Sequence, residues 1–115
     1  MGYRMFVHKK HVVEFADKSW FNWESEAANT FFLDLYTSLF AYYPYSNNEE
    51  YPQYGSQFEY YKEDWKMMIE KLEEDHKDDQ SYAISDYTYA KVIQIMKDIL
   101  ELSDPDNDVI FLEWC

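Results

Sequence analysis

Residues 109–114 read Val-Ile-Phe-Leu-Glu-Trp, a nearly continuous apolar run. Such a run is typical of a strand that is buried on both faces or lies in the middle of a sheet. Residues 3–8 and 11–16 are rich in β-branched and aromatic side chains, so they predict two more strands, joined as a hairpin by Lys9-Lys10. Because an isolated hairpin is only marginally stable, the run at 109–114 is the expected third strand of the same sheet.

The chain between these strands predicts helices. From about Ser25 to Tyr42, apolar residues recur at steps of three and four, at Ala28, Phe32, Leu35, Leu39 and Tyr42. Pro44 ends this helix, because the residue before a proline avoids helical backbone angles.

A second helix is predicted to begin at Ser56. Ser56-Gln57-Phe58-Glu59 matches a capping box, in which the Ser hydroxyl and the Glu carboxylate each accept a hydrogen bond from a free backbone amide. An apolar stripe then follows at Phe58, Tyr61, Trp65, Met68, Ile69 and Leu72. The helix is expected to fray in the acidic stretch 73–79, where carboxylates oppose the helix dipole.

A third helix is predicted to begin near Ser85, with Ile84 and Tyr89 as a hydrophobic staple. Its expected buried stripe consists of Tyr89, Val92, Ile93, Met96, Ile99 and Leu100. The resulting order is ββαααβ over a single domain, residues 1–115. We therefore expect an α+β fold in which a small antiparallel sheet, made of the N-terminal hairpin and the C-terminal strand, packs against three helices.

The composition narrows the classes of function. The chain has 115 residues, 23 Asp plus Glu and 10 Lys plus Arg, and a net charge of −13. This charge argues against direct binding to nucleic acid or to an anionic membrane. Apolar residues make up 47% and aromatic residues 21% of the chain, which is enough to build a core and is unlike a disordered acidic chain.

The acidic side chains are concentrated on the predicted second helix and just after it. Its Glu residues recur about one helical turn apart, so their carboxylates lie about 6 Å from one another, broadly like the phosphates along one DNA strand. The candidate acidic face consists of Glu59, Glu63, Glu70, Glu73, Glu74, Asp75, Asp78 and Asp79. The alternative is that this charge serves only solubility, since Lys62, Lys66 and Lys71 lie on the same helix.

Seven tyrosines fall within twenty residues, at 42, 43, 45, 51, 54, 60 and 61. Tyrosine offers a large contact area, a hydroxyl group and little side-chain entropy to lose, which suits it to protein-binding surfaces. The candidate loop contacts are Tyr45, Glu49, Glu50, Tyr51 and Tyr54. We expect about half of the seven tyrosines to pack at the edge of the core instead.

The remaining candidates favour neither a cofactor nor catalysis. His8 and His11 would face each other across the predicted hairpin, but no third metal ligand is evident. Residues 104–108 resemble the start of a calcium loop but lack its glycine and its closing Glu, so we interpret them as a turn. The only cysteine, Cys115, has no partner for a disulfide, and the two glycines exclude a glycine-rich phosphate loop.

The aromatic segment 20–23 and the apolar runs of the chain give the remaining expectations. The aromatic segment 20–23, Trp-Phe-Asn-Trp, is expected to close one end of the core; the alternative is a ligand-stacking loop. No apolar run near the N-terminus suits a signal peptide, and none approaches the ~20 residues of a membrane helix. We therefore expect a cytoplasmic, non-enzymatic protein without metal or cofactor.

Charge, size and composition together resemble those of DNA-mimicking inhibitors of defence nucleases, such as the anti-CRISPR proteins of phages. No motif matches a particular family, and the acidic face and the tyrosine-rich loop are what predict a protein inhibitor, acting in the host cytoplasm, that blocks a basic nucleic-acid-handling protein or nuclease. One alternative is an immunity protein that neutralises a cognate toxin. Others are a small oligomeric regulatory subunit or a small-ligand-binding protein, and the oligomeric state remains open.

Overall fold

The computed structural model describes residues 5–8, 25–85, 87–103 and 105–114. The fold is α+β, as predicted, and combines helices with small antiparallel sheets. In chain order the elements are β1 (Met5–His8), α1 (Ser25–Phe40), β2 (Tyr45–Ser46), a 3₁₀ turn (Pro52–Tyr54), β3 (Gln57–Tyr61), α2 (Lys62–His76), β4 (Tyr82–Ile84), β5 (Tyr87–Thr88), α3 (Tyr89–Leu102) and β6 (Val109–Trp114).

The larger sheet has the order β1-β6-β3-β2, with every pair of neighbours antiparallel. Strand β6 lies between β1 and β3, and Leu112 is paired with Val7 on one side and with Phe58 on the other. This position confirms the prediction that the apolar run at 109–114 is an inner strand. The second predicted strand, residues 11–16, and the hairpin turn before it lie outside the described residues.

The core lies between one face of this sheet and the helices. Side chains alternate along β3 and β6, so that Phe58, Tyr60, Ile110 and Leu112 are all buried on the same face. Trp65 of α2 is fully buried and joins the layers: its indole Nε1 donates a hydrogen bond of 2.9 Å to a backbone carbonyl of α3. The core side of the sheet is therefore held in a fixed position relative to α2 and α3.

Helix α1 begins at Ser25 as predicted but ends two residues earlier than predicted, at Phe40. Ala41 has a positive φ of 61°, and its amide still donates to the carbonyl of Thr37 at 2.8 Å. This left-handed residue turns the chain out of the helix. The predicted last member of the apolar stripe, Tyr42, is consequently exposed outside the helix.

The predicted capping box at Ser56 is wrong. Residues 57–61 form strand β3, and α2 begins only at Lys62, without a side-chain cap at Tyr61. The apolar spacing of this segment fits a strand as well as a helix, and pairing with β6 decides between them. Phe58 is buried as expected, but Tyr61 points away from the core and is 62% exposed. Helix α2 continues to His76, into the stretch that was expected to fray.

The predicted start of the third helix at Ser85 is also wrong. Strands β4 and β5 form a small two-stranded sheet here, and Ser85, directly after β4, has a positive φ of 38°. Helix α3 begins at Tyr89, and the hydroxyl of Thr88 caps it by accepting from the amide of Lys91 at 3.2 Å. The predicted staple between Ile84 and Tyr89 therefore does not form at the helix start, although the predicted stripe of α3 does face the core.

None of the helices in the described segments combines the length and the apolar character needed to cross a membrane.

Candidate partner-binding surface

The outer side of α2 carries part of the predicted acidic face. Glu63, Met67, Glu70 and Glu74 recur at steps of four, three and four, opposite the buried stripe of the helix, and all four are exposed. At 1.5 Å per residue, the first and last of these carboxylates are separated by about 16 Å along the helix axis. An exposed methionine, 49% accessible, interrupts this row of carboxylates.

Other acidic residues of α2 are neutralised within the molecule. Glu73 forms an ion pair of 3.2 Å with Lys97 of α3, and Asp75 forms one of 3.4 Å with Lys71 one turn before it. Lys66 is exposed on the same helix. Because lysines are interleaved with the carboxylates, α2 does not present an undiluted polyanion.

Of the two predicted residues after α2, Asp79 forms hydrogen bonds at the end of the helix. Asp78 is exposed and has a positive φ of 63°. Asp79 accepts hydrogen bonds from the amide and hydroxyl of Ser81, and its other oxygen lies 2.8 Å from Nδ1 of His76. These bonds, from Ser81 first and then from His76, lower the pKa of Asp79 to about 2. The imidazole also stacks on Tyr89, with ring centres 3.6 Å apart.

Glu59 lies apart from the other predicted acidic residues, because it belongs to β3 and not to α2. The antiparallel register places it between Tyr45 of β2 and Phe111 of β6, on the sheet face opposite the core. Its side chain is half-buried. The expectation that Glu59 and Glu63 share one helix face is therefore wrong, since the strand turns Glu59 toward the tyrosines.

The tyrosines are far more exposed than expected. Of the seven, Tyr60 alone is buried; the exposed fractions of the others are 59% for Tyr42, 47% for Tyr43, 63% for Tyr45, 51% for Tyr51, 74% for Tyr54 and 62% for Tyr61. The expectation that about half would pack at the core edge is wrong. We call the exposed set, together with Glu49, Glu50 and Glu59, the tyrosine lobe.

A hydrogen-bond network centred on Asn47 holds the loop of the tyrosine lobe. Asn47 Oδ1 accepts from the amides of Ser56 and Gln57 at 2.9 and 3.2 Å, and its Nδ2 donates to the Ser56 hydroxyl at 3.2 Å. Asn48 Oδ1 accepts from the amide of Tyr51 at 3.0 Å. The loop is thus closed at both ends by side-chain bonds to backbone, a pattern typical of Asn in turns. The sequence analysis did not identify this role of Asn47.

Gly55 fits the loop closely against β2. A Cβ atom at this position would lie 2.8 Å from Ser46 Cβ and 2.9 Å from both Ser46 Oγ and Asn47 Oδ1. Ser46 itself is buried. Any larger residue would therefore push the loop away from the strand.

A groove of about 400 Å³ opens beside β2 at the edge of the sheet. It is lined by Tyr36, Tyr42, Tyr43, Pro44, Tyr45, Glu59, Tyr61 and Val109. A second, polar and wide-open depression of about 490 Å³ lies in the loop that follows β2 and is lined by Asn47, Asn48, Glu49, Tyr54, Gly55 and Ser56. Residues of the tyrosine lobe thus line both the groove and this depression.

The charge of this part of the chain is of one sign. Residues 25–61 contain five acidic residues, Glu26, Asp34, Glu49, Glu50 and Glu59, and no Lys, Arg or His. Helices α2 and α3, by contrast, carry lysines among their carboxylates. The predicted acidic and aromatic contacts therefore combine in the tyrosine lobe rather than on α2.

Two predicted features lie outside what the structure describes: the pairing of His8 with His11, and the aromatic segment 20–23. Within the described residues, no group of three or more His, Cys, Asp or Glu is placed to hold a metal ion. Residues 105–108 form a turn, as expected for the calcium-loop-like segment.

Comparison of the chain with protein-family models, with curated proteins and with solved structures finds no match.

Proposed function

We propose that this protein is a non-enzymatic inhibitor that acts in the cytoplasm and blocks a basic nucleic-acid-handling protein. The observation that carries this proposal is the tyrosine lobe: six exposed tyrosines and three glutamates in a part of the chain that has no basic residue. Exposed aromatic clusters of this kind mark interaction sites, and the sign of the charge selects a cationic partner.

The lobe is suited to tight binding because it is held in place before the partner arrives. The Asn47 network and the close contact of Gly55 with Ser46 fix the loop. The rings of Tyr51 and Tyr54 lie 6.2 Å apart and support each other. Since the loop backbone is already held in place, more of the contact energy contributes to affinity.

The carboxylates of α2 have a different role in this proposal. Glu63, Glu70 and Glu74 are exposed but are separated by Met67 and flanked by lysines. Charges of this kind mainly raise the association rate of an oppositely charged partner, and added salt screens them. The lobe makes the contacts, and α2 contributes long-range attraction.

Two triple variants with the same change of net charge test these separate roles of the tyrosine lobe and α2. One replaces Glu49, Glu50 and Glu59 by Lys, and the other replaces Glu63, Glu70 and Glu74 by Lys. Both change the net charge by the same amount. The immobilised proteins are exposed to lysate of the natural host at low salt, and bound proteins are eluted with duplex DNA.

We expect wild type to capture a basic nucleic-acid-binding protein that DNA displaces. The triple variant of α2 should still capture this protein, but more weakly. The triple variant of the tyrosine lobe should no longer capture it. Circular dichroism of both variants confirms that they remain folded. Tight capture that salt and DNA leave unchanged, or a partner with a neutral surface, would contradict the proposal.

An immunity protein would use the same lobe against a basic toxin, because an acidic, aromatic surface suits either target. The identity of the captured protein separates these two functions. A wild-type protein that self-associates and captures nothing would instead indicate an oligomeric subunit.

A further inference from the structure

The groove beside β2 combines exposed aromatic rings, a carboxylate and an open volume. Four of its lining tyrosines are exposed, at positions 42, 43, 45 and 61. One carboxylate, Glu59, belongs to the lining, and none of the described lysines does. Its volume of about 400 Å³ is large enough for the end of a long side chain.

Within the described segments, the carboxylate of Glu59 makes no hydrogen bond or ion pair. It is nevertheless half-buried, flanked by Tyr45 in the register of the sheet and by Tyr61 two positions along the same strand. A partly desolvated carboxylate without a partner is costly, and a bound cation removes that cost.

Aromatic faces attract cations as well, because the ring quadrupole is negative above and below the plane. Several tyrosines around a carboxylate therefore form a site for a positively charged group. Guanidinium fits this site better than ammonium, since it is planar, stacks on aromatic faces and binds a carboxylate through two parallel hydrogen bonds.

The groove has a rigid floor. The hydroxyl of Tyr36 donates to Asp64 Oδ2 at 3.1 Å, and its ring meets the ring of Tyr42 edge-on, with centres 5.7 Å apart. Burial, assisted by hydrogen bonds to Tyr42 and Asp64, raises the pKa of Tyr36, so its hydroxyl stays protonated. Tyr36 is thus held at the floor of the groove by a hydrogen bond and by ring packing.

We propose that this groove receives the guanidinium group of an arginine side chain on the basic partner, with Glu59 as its counter-ion and Tyr45 and Tyr61 as stacking faces. This assignment deepens the proposed function and rests on it, since it names the chemical group by which the partner is recognised.

The test uses the isolated protein and a small probe, N-acetyl-arginine amide, followed by NMR of protein labelled with ¹³C in its tyrosine rings. We expect saturable shifts of groove tyrosines at millimolar probe and none with N-acetyl-glutamine amide. Glu59→Gln should weaken probe binding at least about fivefold, because the charge of the counter-ion is removed. Glu63→Gln, the matched control on α2, should leave it unchanged.

A second pair of variants separates stacking from charge. Tyr45→Ala should weaken probe binding by a similar factor, whereas Tyr54→Ala, which changes another exposed tyrosine outside the groove, should not. Equal binding by wild type, Glu59→Gln and Tyr45→Ala would overturn the assignment of the groove, and so would the absence of any saturable shift.

The outcomes for the groove and for the proposed function remain distinguishable. If wild type and Glu59→Gln capture the same basic partner equally well while the probe fails to bind, the groove assignment falls and the inhibitor function stands. If the probe binds as expected and no basic protein is captured, the inhibitor function falls and the groove stands as a guanidinium site.

Discussion

Replacement of Gly55 by Ala should destabilise the protein, although the backbone at this position suits alanine. Gly55 has φ −65° and ψ 160°, backbone angles that any residue adopts. Its backbone amide donates a hydrogen bond of 3.2 Å to the carbonyl of Pro52, and this hydrogen bond is kept in the variant. Because alanine restricts the unfolded chain, the substitution would by itself stabilise the protein by about 0.4–1 kcal/mol.

The added methyl group, however, makes the substitution destabilising. It would lie 2.8 Å from Ser46 Cβ and 2.9 Å from Ser46 Oγ and Asn47 Oδ1, closer than such atoms approach in proteins. Ser46 is buried, so it has little room to move. Overpacking of this kind costs about 1–3 kcal/mol. Subtraction of the entropic gain from the middle of that range, about 2 kcal/mol, leaves a net loss of about 1–1.6 kcal/mol.

Urea denaturation followed by circular dichroism measures this difference in the free energy of unfolding. Hydrogen exchange locates it, because the amides of Ser56 and Gln57 donate to Asn47 Oδ1 and should exchange faster in the variant. Partner binding through the tyrosine lobe should weaken as well, since the loop no longer holds its tyrosines in one position.

A double-mutant cycle with Ser46→Gly tests whether the contact with Ser46 causes the loss of stability. Ser46→Gly removes two of the three close atoms, so Gly55→Ala should cost about 1 kcal/mol less in that background. The reasoning is refuted if Gly55→Ala is as stable as wild type or more stable, or if the two substitutions are additive.

Two further predictions concern the core and the end of α2. Trp65→Ala should lower the free energy of unfolding by about 3–5 kcal/mol, because the side chain is fully buried; an unchanged urea midpoint would contradict its place in the core. The pKa of Asp79 is lowered to about 2 by its bonds to Ser81 and His76, so its contribution to stability is complete above pH ~4 and is lost as the pH falls toward 2. Asp79→Asn should therefore lose less stability than wild type between pH 4 and pH 2, as measured by thermal unfolding; parallel curves would argue against the bonded carboxylate.

Periodicity predicted those elements whose burial pattern has only one interpretation. The steps of three and four in residues 28–39 fit only a helix, and the apolar run at 109–114 is too short for one, so α1 and β6 were predicted at nearly their observed positions. The core positions Trp65, Met68 and Leu72 were predicted for the same reason.

Residues 57–61 show where periodicity fails. Phe58 and Tyr61 are three apart, which fits a helix, whereas Phe58 and Tyr60 are two apart, which fits a strand. Both patterns bury two aromatic rings, so the local sequence does not distinguish a helix from a strand. Pairing with β6, about fifty residues later in the chain, determines which ring is buried.

The composition by itself established an acidic, aromatic chain. Only the tertiary structure decided where those groups meet. Cross-strand pairing brings Glu59 beside Tyr45, and the turn after α1 brings Tyr42 and Tyr43 to the same groove, while Glu73 and Asp75 are paired with lysines. Charge and hydropathy belong to each residue separately, whereas a binding groove depends on distances between residues far apart in the chain, and these are set by strand register and packing.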